Sequence, residues 1–307
     1  MSVVLSKLVL REELTDLILV SIGGLNDVEE NCARGVCVYL NAMTKLRGQE
    51  LRDFLAALVA GILSALSKIT NEKTVVGTLA AIKNLAAHHL SQTIDELLKV
   101  PNPHPDYLKK SFQLIAKDPD LVTPMLKYFT QYLNNTSLYL EEKQDVRVAT
   151  PKSSSATSAF GELFELPEMD SISKKFFPVL ACTFLLRFGT AVGCKPPVIE
   201  GQKPQEPIEE AITAFKSFLT CNKEEYCLET MKEKNGWELL KDPVRFYEGI
   251  VLASGCLAKD HPEEMEAIYK YLLTYLQGNF PGQRVVAASV FAEFVNHCKP
   301  SKVKNTI

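Results

Sequence analysis

The sequence comprises 307 residues, of which 46% are hydrophobic and 23% are charged, a balance typical of a soluble folded protein. Its formal net charge of −3 at pH 7 argues against a nucleic-acid-binding protein, because such proteins usually carry a basic excess that neutralises phosphates. Charged residues interrupt the apolar N-terminal stretch, and no run approaches the roughly 18 apolar residues of a spanning helix. We therefore expect a cytoplasmic protein without a signal peptide or a membrane-spanning segment.

Two similar helix pairs are predicted near the start of the chain. The first joins ELTDLILVSIGGL to VEENCARGVCVYLNAMTKLRG, and the second joins QELRDFLAALVAGILSALSKI to EKTVVGTLAAIKNLAAHHL. Gly35 aligns with Gly77, and the apolar positions that follow the two glycines match. This alignment gives a period of about 42 residues, within the range of about 40–47 residues that is typical of HEAT and armadillo helix pairs. Because one pair cannot bury its own apolar face, such pairs stack around a continuous core.

The remaining chain predicts more helices of less regular spacing. HPDYLKKSFQLIAKD and PDLVTPMLKYFTQYLNN form another pair within a first repeat region, residues 1–140. A polar, serine-rich seam is predicted at 141–157 and further helical repeats at 158–299, with an exposed proline-rich loop at 194–207. Residues 300–307 form a basic tail that we expect to be disordered. The predicted fold class is all-α: an α-solenoid of HEAT/armadillo-like helix pairs in a right-handed superhelical stack.

Side chains that carry chemistry form no recognisable catalytic or metal-binding pattern. The sequence contains no phosphate loop, dinucleotide fingerprint, nucleophile elbow or HExxH motif. None of the eight cysteines forms a CxxC motif, and Cys221 and Cys227 are the least ordinary pair. His88 and His89 are adjacent on a helix, so their side chains cannot face one metal ion. We therefore predict no enzymatic activity, no metal and no cofactor.

Aromatic residues leave two interpretations open. Tyr271 and Tyr275 lie one helical turn apart on a predicted helix, so they either belong to the core or line a groove. The single tryptophan, Trp237, is expected to fill a gap between helices.

The last predicted helix, residues 282–297, has more apolar surface than one amphipathic stripe requires. One side is expected to pack on the preceding helix. A terminal repeat normally presents a polar outer face, and this one does not. We therefore take Val286, Val290, Phe291 and Phe294 as a candidate face for self-association or for a following repeat.

Several motifs, in order, resemble one family. They are KLRGQEL (45–51), AAIKNLAAHHL (80–90), FQLIAKDPDLVTPML (112–126), RVATP (147–151), FPVLACTFLLRFGTAVGCKPP (177–197), NGWELL (235–240) and QRVVAASVFAEFV (283–295). The set is similar to the maestro HEAT-like repeat family from about residue 15 to residue 297. Longer family members continue with many more repeats after this point, so the chain resembles a fragment, a splice product or a short paralogue.

The resemblance implies a non-enzymatic helical scaffold that acts through protein contacts. It also implies an alternative, since family members have been linked to lysosome fission, to recruitment by a Rab-type small GTPase and to self-assembly on the membrane. The expected partners are proteins, with a Rab-type GTPase, the lysosomal membrane and a second copy of the chain as candidates, and nucleic acid is not expected. The expected location is accordingly the cytoplasm, with peripheral attachment to lysosomes in the alternative. No binding motif of the family can be transferred to particular residues.

Overall fold

The computed structural model describes residues 9–142, 146–201 and 205–297, without the side chains at 11, 12 and 294–297. The chain divides into two compact units, Met1–Tyr128 and Phe129–Ile307. The division falls inside a helix, Pro119–Asn135, and therefore precedes the polar seam predicted at 141–157. The tail predicted at 300–307 lies outside the described residues.

The first unit is built from helices in the described part of the chain. They are α1 (Arg11–Gly23), α2 (Glu30–Arg47), α3 (Leu55–Leu66), α4 (Glu72–Leu97), α5 (Asp106–Ala116) and the start of α6 (Pro119–Asn135), with 3₁₀ turns at Gly24–Asn26 and Gly48–Phe54. Helix α4 begins where the sequence predicts a break, because the Oδ1 atom of Asn71 accepts the Thr74 N–H at 3.1 Å and caps the helix.

Helices α2 and α4 pack side by side and in parallel, at the offset that the sequence repeat predicts. The Sγ atom of Cys37 lies 4.0 Å from the Oγ1 atom of Thr78, 41 residues later. The Nε2 atom of His88 lies 3.1 Å from the carbonyl oxygen of Lys45, 43 residues earlier. The sequence period therefore corresponds to a physical stack in which equivalent positions of two repeats are neighbours.

Apolar positions that match in the sequence are also matched in burial. Leu40 and Ile82 are fully buried, and so are Met43 and Leu85. These pairs form the shared core that neither helix pair could enclose by itself.

A line of polar contacts, which we call the α2–α4 ladder, joins the two helices beside this core. The Nδ2 group of Asn41 donates to the Gly77 carbonyl at 2.6 Å, and that of Asn84 donates to the Oδ1 atom of Asn41 at 3.2 Å. His89 lies at a kink in α4 and contacts the Gly48 carbonyl at 3.0 Å through its Nε2 atom. His88 and His89 thus each hold the end of α2, and they do not form a site of their own.

The second unit contains more and shorter elements in the described residues. Its helices are the end of α6, α7 (Pro151–Leu163), α8 (Met169–Lys175), α9 (Phe177–Ala191), α10 (Pro207–Cys221), α11 (Glu225–Glu233), α12 (Gly236–Lys241), α13 (Phe246–Asp260), α14 (Met265–Leu273) and α15 (Pro281–His297). A small sheet, which the sequence did not predict, joins β1 (Tyr139–Glu141) antiparallel to β2 (Arg147–Ala149) and β2 parallel to β3 (Cys194–Lys195). Strand β3 occupies the start of the loop predicted at 194–207, and the described residues 196–201 and 205–206 that follow it are irregular.

The serine-rich end of the predicted polar seam, residues 151–157, belongs to a helix, α7, and residues 153–157 of it are buried. Pro151 starts the helix, and the Oγ1 atom of Thr150 caps it by accepting the Ser153 N–H at 3.2 Å. The hydroxyl group of Ser153 donates to the Leu138 carbonyl at 2.7 Å, and that of Thr157 donates to the Ser153 carbonyl at 2.7 Å. The prediction of a polar seam was wrong here because it rested on the polar composition. These short hydroxyl side chains hydrogen-bond to backbone carbonyls and can therefore be buried in the core.

Helices α7 and α10 also stack in parallel, but at a longer separation in the sequence. A Cβ atom on Gly161 would lie 2.6 Å from the Cα atom of Ala214. The rings of Phe164 and Phe218, one turn further along each helix, meet edge to face at 5.3 Å between centroids. The two residues of each pair, Gly161 with Ala214 and Phe164 with Phe218, are separated by more residues in the sequence than the contacting residues of α2 and α4 are. The period of the first unit therefore does not extend into this part of the chain.

The core of the second unit combines aromatic rings with one buried cation. The rings of Phe160 and Phe218 each lie 5.0 Å from that of Phe184, measured between centroids, with the first pair stacked and the second tilted. The neighbouring Arg187 is 2% exposed, and its guanidinium donates to the hydroxyl of Thr157 at 2.8 Å. Burial lowers the pKa of Arg187, because an apolar core disfavours the charged form. The negative charge of Glu210, which is also buried, raises the pKa of Arg187 and so opposes the effect of burial.

Gly35 and Gly77 occupy equivalent positions of two repeats, yet we expect opposite effects from substituting them by alanine. A Cβ atom on Gly35 would meet nothing within 4 Å, whereas one on Gly77 would lie 2.2 Å from the Sγ atom of Cys37. Gly35→Ala should raise the free energy of unfolding by about 0.5–1 kcal/mol, because alanine favours the helix. Gly77→Ala should lower it by about 1–3 kcal/mol, because the stacked helices would have to separate.

Urea denaturation followed by far-ultraviolet circular dichroism measures both changes. Equal effects of the two substitutions would contradict the parallel stack.

Candidate functional site

An open cleft of about 730 Å³ lies beside α13 in the second unit, with α11, α12 and α15 contributing to its walls. Its floor is apolar and comes mostly from one face of α13. The floor residues are Leu239, Val251, Leu252, Gly255 and Ala258. The four on α13 are only partly buried, so this helix keeps an accessible apolar stripe after the unit has folded.

Side chains of both charges surround this floor. Lys234 and Lys259 line the cleft together with Glu248 and Glu293. The Lys259 ammonium lies 3.9 Å from the centre of the Tyr226 ring, within range of a cation–π interaction. Glu248 accepts hydrogen bonds from the nearby Arg245, which lower the pKa of that carboxyl group, so it stays ionised at neutral pH. An apolar floor between charges of both signs suits a protein segment better than it suits a polyanion.

The walls of the cleft depend on a tight connection between α11 and α12. Asn235 has φ 54° and lets the chain reverse without a glycine, since asparagine tolerates the left-handed region. Gly236 follows it at a crowded point, where a Cβ atom would lie 2.8 Å from the Cδ2 atom of Leu252. The connection therefore brings α12 directly onto the floor of the cleft.

The face predicted on the last helix is different in the structure. Val286 and Val290 are 0% exposed and belong to the core, so they are not part of a free face. Phe291 is half-buried, and the side chain of Phe294 lies outside the described residues.

Two glycines explain this burial. A Cβ atom on Gly189 would lie 2.4 Å from the Gly282 carbonyl oxygen and 3.0 Å from the Cγ2 atom of Val286. Helix α15 therefore approaches the backbone of α9 closely and covers the valine face. Glycines at both positions are visible in the sequence, but only the fold shows that they face each other.

Other residues considered from the sequence also acquire definite neighbours. Cys221 is half-buried and Cys227 fully buried, and the thiol of Cys227 interacts with that of Cys256. The Tyr271 hydroxyl accepts from the buried Asn134 amide at 3.1 Å. Burial and the contact with Tyr271 raise the pKa of the half-buried Tyr275.

Trp237 is half-buried on the surface of the aromatic core, so it does not fill a gap completely. Its ring contacts Phe215 edge to face at 6.3 Å, and the Lys216 ammonium lies 4.7 Å from the indole ring centre.

Tyr226, Gly255 and Ala258 were not identified from the sequence as residues of a candidate site. The helical spacing of Gly255 and Ala258 would have shown a stripe of small residues on α13, but it would not have shown which residues face that stripe.

The described residues contain no arrangement that fits a metal centre or a membrane span. Within the ranges 9–142, 146–201 and 205–297, no group of three or more His, Cys, Asp or Glu side chains is placed to hold a metal ion. In the same part of the chain, no helix has both the length and the hydropathy needed to cross a bilayer.

Comparison with known proteins places the chain in a family. The family model described as Maestro, HEAT repeats, matches residues 1–126, and the model described as SGR6, HEAT repeats, matches residues 121–298. A Maestro heat-like repeat-containing protein family member 1 from Dictyostelium discoideum is 34% identical over 98% of this chain and 19% of its own length. The chain belongs to the Maestro HEAT-like repeat family.

The family has relatives in mammals too. Family member 1 of Bos taurus is 24% identical over 93% of this chain and 18% of its own length, and the Homo sapiens protein shows the same values. The chain thus spans about a fifth of the length of these curated relatives.

Membership of the family confirms the predicted all-α solenoid class of HEAT-like helix pairs, to which the structure adds the small sheet. The two family models overlap at residues 121–126, inside α6, close to the point where the compact units divide.

The burial of α15 predicts unequal effects of one substitution at neighbouring positions. Val290→Asp should lower the free energy of unfolding by about 3–5 kcal/mol, because the carboxylate would be buried without a partner. Phe291→Asp should cost less than about 2 kcal/mol, because a side chain at this half-buried position can stay in contact with water.

Thermal and urea denaturation of the two variants provide the comparison. If Phe291→Asp proved the more damaging, the orientation of α15 on α9 would be wrong.

Proposed function

We propose that this HEAT-repeat chain is a non-enzymatic scaffold that binds a segment of a partner protein in the cleft beside α13. One observation carries the proposal. The floor of the cleft remains an accessible apolar surface on α13, whereas Phe246 and Leu257 of the same helix are buried in the core. An exposed apolar groove with a polar rim is typical of a protein-binding surface.

The shape of the floor favours a helical partner segment. Gly255 and Ala258 lie close together on one face of α13 and carry no large side chain, while Val251 and Leu252 provide apolar contact one turn earlier. A helix that presents apolar residues at i, i+3 and i+4 can pack closely against such a stripe. The rim residues Lys259 and Glu293 would then select charges of opposite sign on either side of that apolar face.

We expect a photo-reactive amino acid at Leu252 to crosslink a protein in cells, and one at Val198 to do so weakly. Val198 is 96% exposed in a loop outside the cleft and serves as a matched apolar control. Leu252→Glu should reduce binding of the crosslinked protein at least about tenfold, because a carboxylate would replace apolar contact at the centre of the surface. Val198→Glu should leave the affinity unchanged.

The crosslinked partner peptide, identified by mass spectrometry, should contain apolar residues at helical spacing. Equal crosslinking from both positions, or an affinity that Leu252→Glu leaves unchanged, would argue against the cleft as the binding surface. Circular dichroism of Leu252→Glu distinguishes a lost contact from a lost fold.

Membership of the Maestro family supports a second candidate function. In this proposal the chain takes part in lysosome fission as a membrane-associated factor that a Rab-type small GTPase recruits and that self-assembles. Because Val286 and Val290 are buried, self-assembly would use a surface other than the valine face of α15. The apolar stripe of α13 is one such surface in the second unit.

Liposome co-sedimentation tests this second function with the purified chain. We expect the chain to sediment with vesicles that carry a GTP-loaded Rab-type protein and to remain in the supernatant with the GDP-loaded form. Imaging against a lysosomal marker should then show overlap in cells. A chain that stays in the supernatant with both nucleotide forms has no such recruitment.

A further inference from the structure

Two cysteines meet at the wall of the cleft. Cys256 lies on α13 and lines the cleft, and Cys227 lies behind it on α11. The exposed fractions are 3% for Cys256 and 0% for Cys227, and both are free thiols. Helices α11 and α13 pack against each other, and the two thiol groups interact across this contact. Their positions in the sequence, with a whole helix between them, do not reveal this contact.

The surroundings make the two thiols unequal. The interaction with the Cys227 thiol lowers the pKa of Cys256, against the opposing effect of burial. The Thr230 hydroxyl and the Lys234 ammonium, which also line the cleft, act in the same direction as Cys227. The same interaction, together with burial, raises the pKa of Cys227. Cys256 is therefore the thiol of the pair that forms a thiolate more readily.

Four other cysteines of the described residues lack this combination. Burial raises the pKa of Cys37, Cys182, Cys194 and Cys221. None of these four lines the cleft. A reactive cysteine typically combines thiolate character, an access route and a second thiol within reach.

We propose that Cys256 and Cys227 are a peroxide-sensitive thiol pair, in which Cys256 is oxidised first through the cleft and Cys227 then forms a disulfide with it. In the first step the Cys256 thiolate attacks one oxygen of hydrogen peroxide. The O–O bond breaks, Cys256 becomes a sulfenic acid, and the released hydroxide takes up a proton to form water. In the second step the Cys227 sulfur attacks the Cys256 sulfur, an S–S bond forms, and the hydroxyl group leaves as water with the Cys227 proton. Two thiols and one peroxide thus give one disulfide and two waters.

The disulfide would link α11 to α13 at the wall of the cleft. Lys234 and Thr230 on the α11 side and Gly255 on α13 would then be held at one separation. This modification does not depend on what the cleft binds, so the proposal stands apart from the proposed scaffold function.

Disulfide mapping of the unmodified sequence tests the pair without any substitution. Trypsin releases Cys227 in the peptide of residues 224–232 and Cys256 in the peptide of residues 246–259, each with a single cysteine. The folded chain is treated with hydrogen peroxide, its remaining thiols are alkylated, and the digest is analysed by mass spectrometry. We expect the linked pair of peptides to appear as the first disulfide, at least tenfold faster than free thiol is lost from Cys182 or Cys37.

Two variants separate the steps. Cys227→Ala should stop the reaction at the first step, so dimedone should label Cys256 as a sulfenic acid. Cys221→Ala, a matched change at a cysteine of the neighbouring helix α10, should leave the disulfide yield unchanged.

Exposed Cys32 provides the internal reference for peroxide exposure. If Cys32 is oxidised while Cys227 and Cys256 both remain free thiols, the proposal is overturned. Oxidation of Cys256 to a sulfonic acid in the unmodified chain without a linked Cys227 peptide would overturn it as well.

Discussion

Close contact between parallel helices of successive repeats is the constraint on which both units depend. In the first unit Gly77 lies directly against Cys37, and in the second Gly161 lies against Ala214. At each point a side chain would separate the helices by more than the packed interior tolerates. The buried rows that run alongside these contacts, Leu40 with Ile82 and Phe164 with Phe218, can meet only because the backbones approach closely.

Polar groups are used inside both stacks to fix their register. The α2–α4 ladder places the Asn41 and Asn84 amides on backbone and side-chain partners of the neighbouring helix. In the second unit, Arg187 binds Thr157 from the middle of an aromatic core. Apolar packing alone tolerates sliding, whereas a buried polar group left without its partner is costly. These contacts therefore favour one alignment of the helices over its neighbours.

In the cleft, the burial of the apolar surface of one helix is incomplete. Helices α2 and α4 cover each other's apolar rows, and α15 covers its valines on α9, but α13 keeps Val251 and Leu252 within reach of solvent. The same wall holds the paired thiols of Cys227 and Cys256. Recognition and oxidation would thus act on one pair of helices, α11 and α13, and a covalent link between them would restrict the shape of the surface that a partner meets.

The sequence by itself determined the helical class, the first two helix pairs and the family, because apolar periodicity and a repeat of helix-pair length are local patterns. It failed at Ser153 and its neighbours, which appear polar in composition but satisfy their hydroxyl groups on nearby carbonyls and lie inside the core. It also failed at Val286 and Val290, because apolar residues look the same in a sequence whether a neighbouring helix covers them or not. Only the tertiary structure decided which apolar face is closed, which one remains as the floor of the cleft, and that Cys227 faces Cys256. Those outcomes depend on contacts between residues far apart in the chain, such as Gly189 with Gly282, which no local pattern encodes.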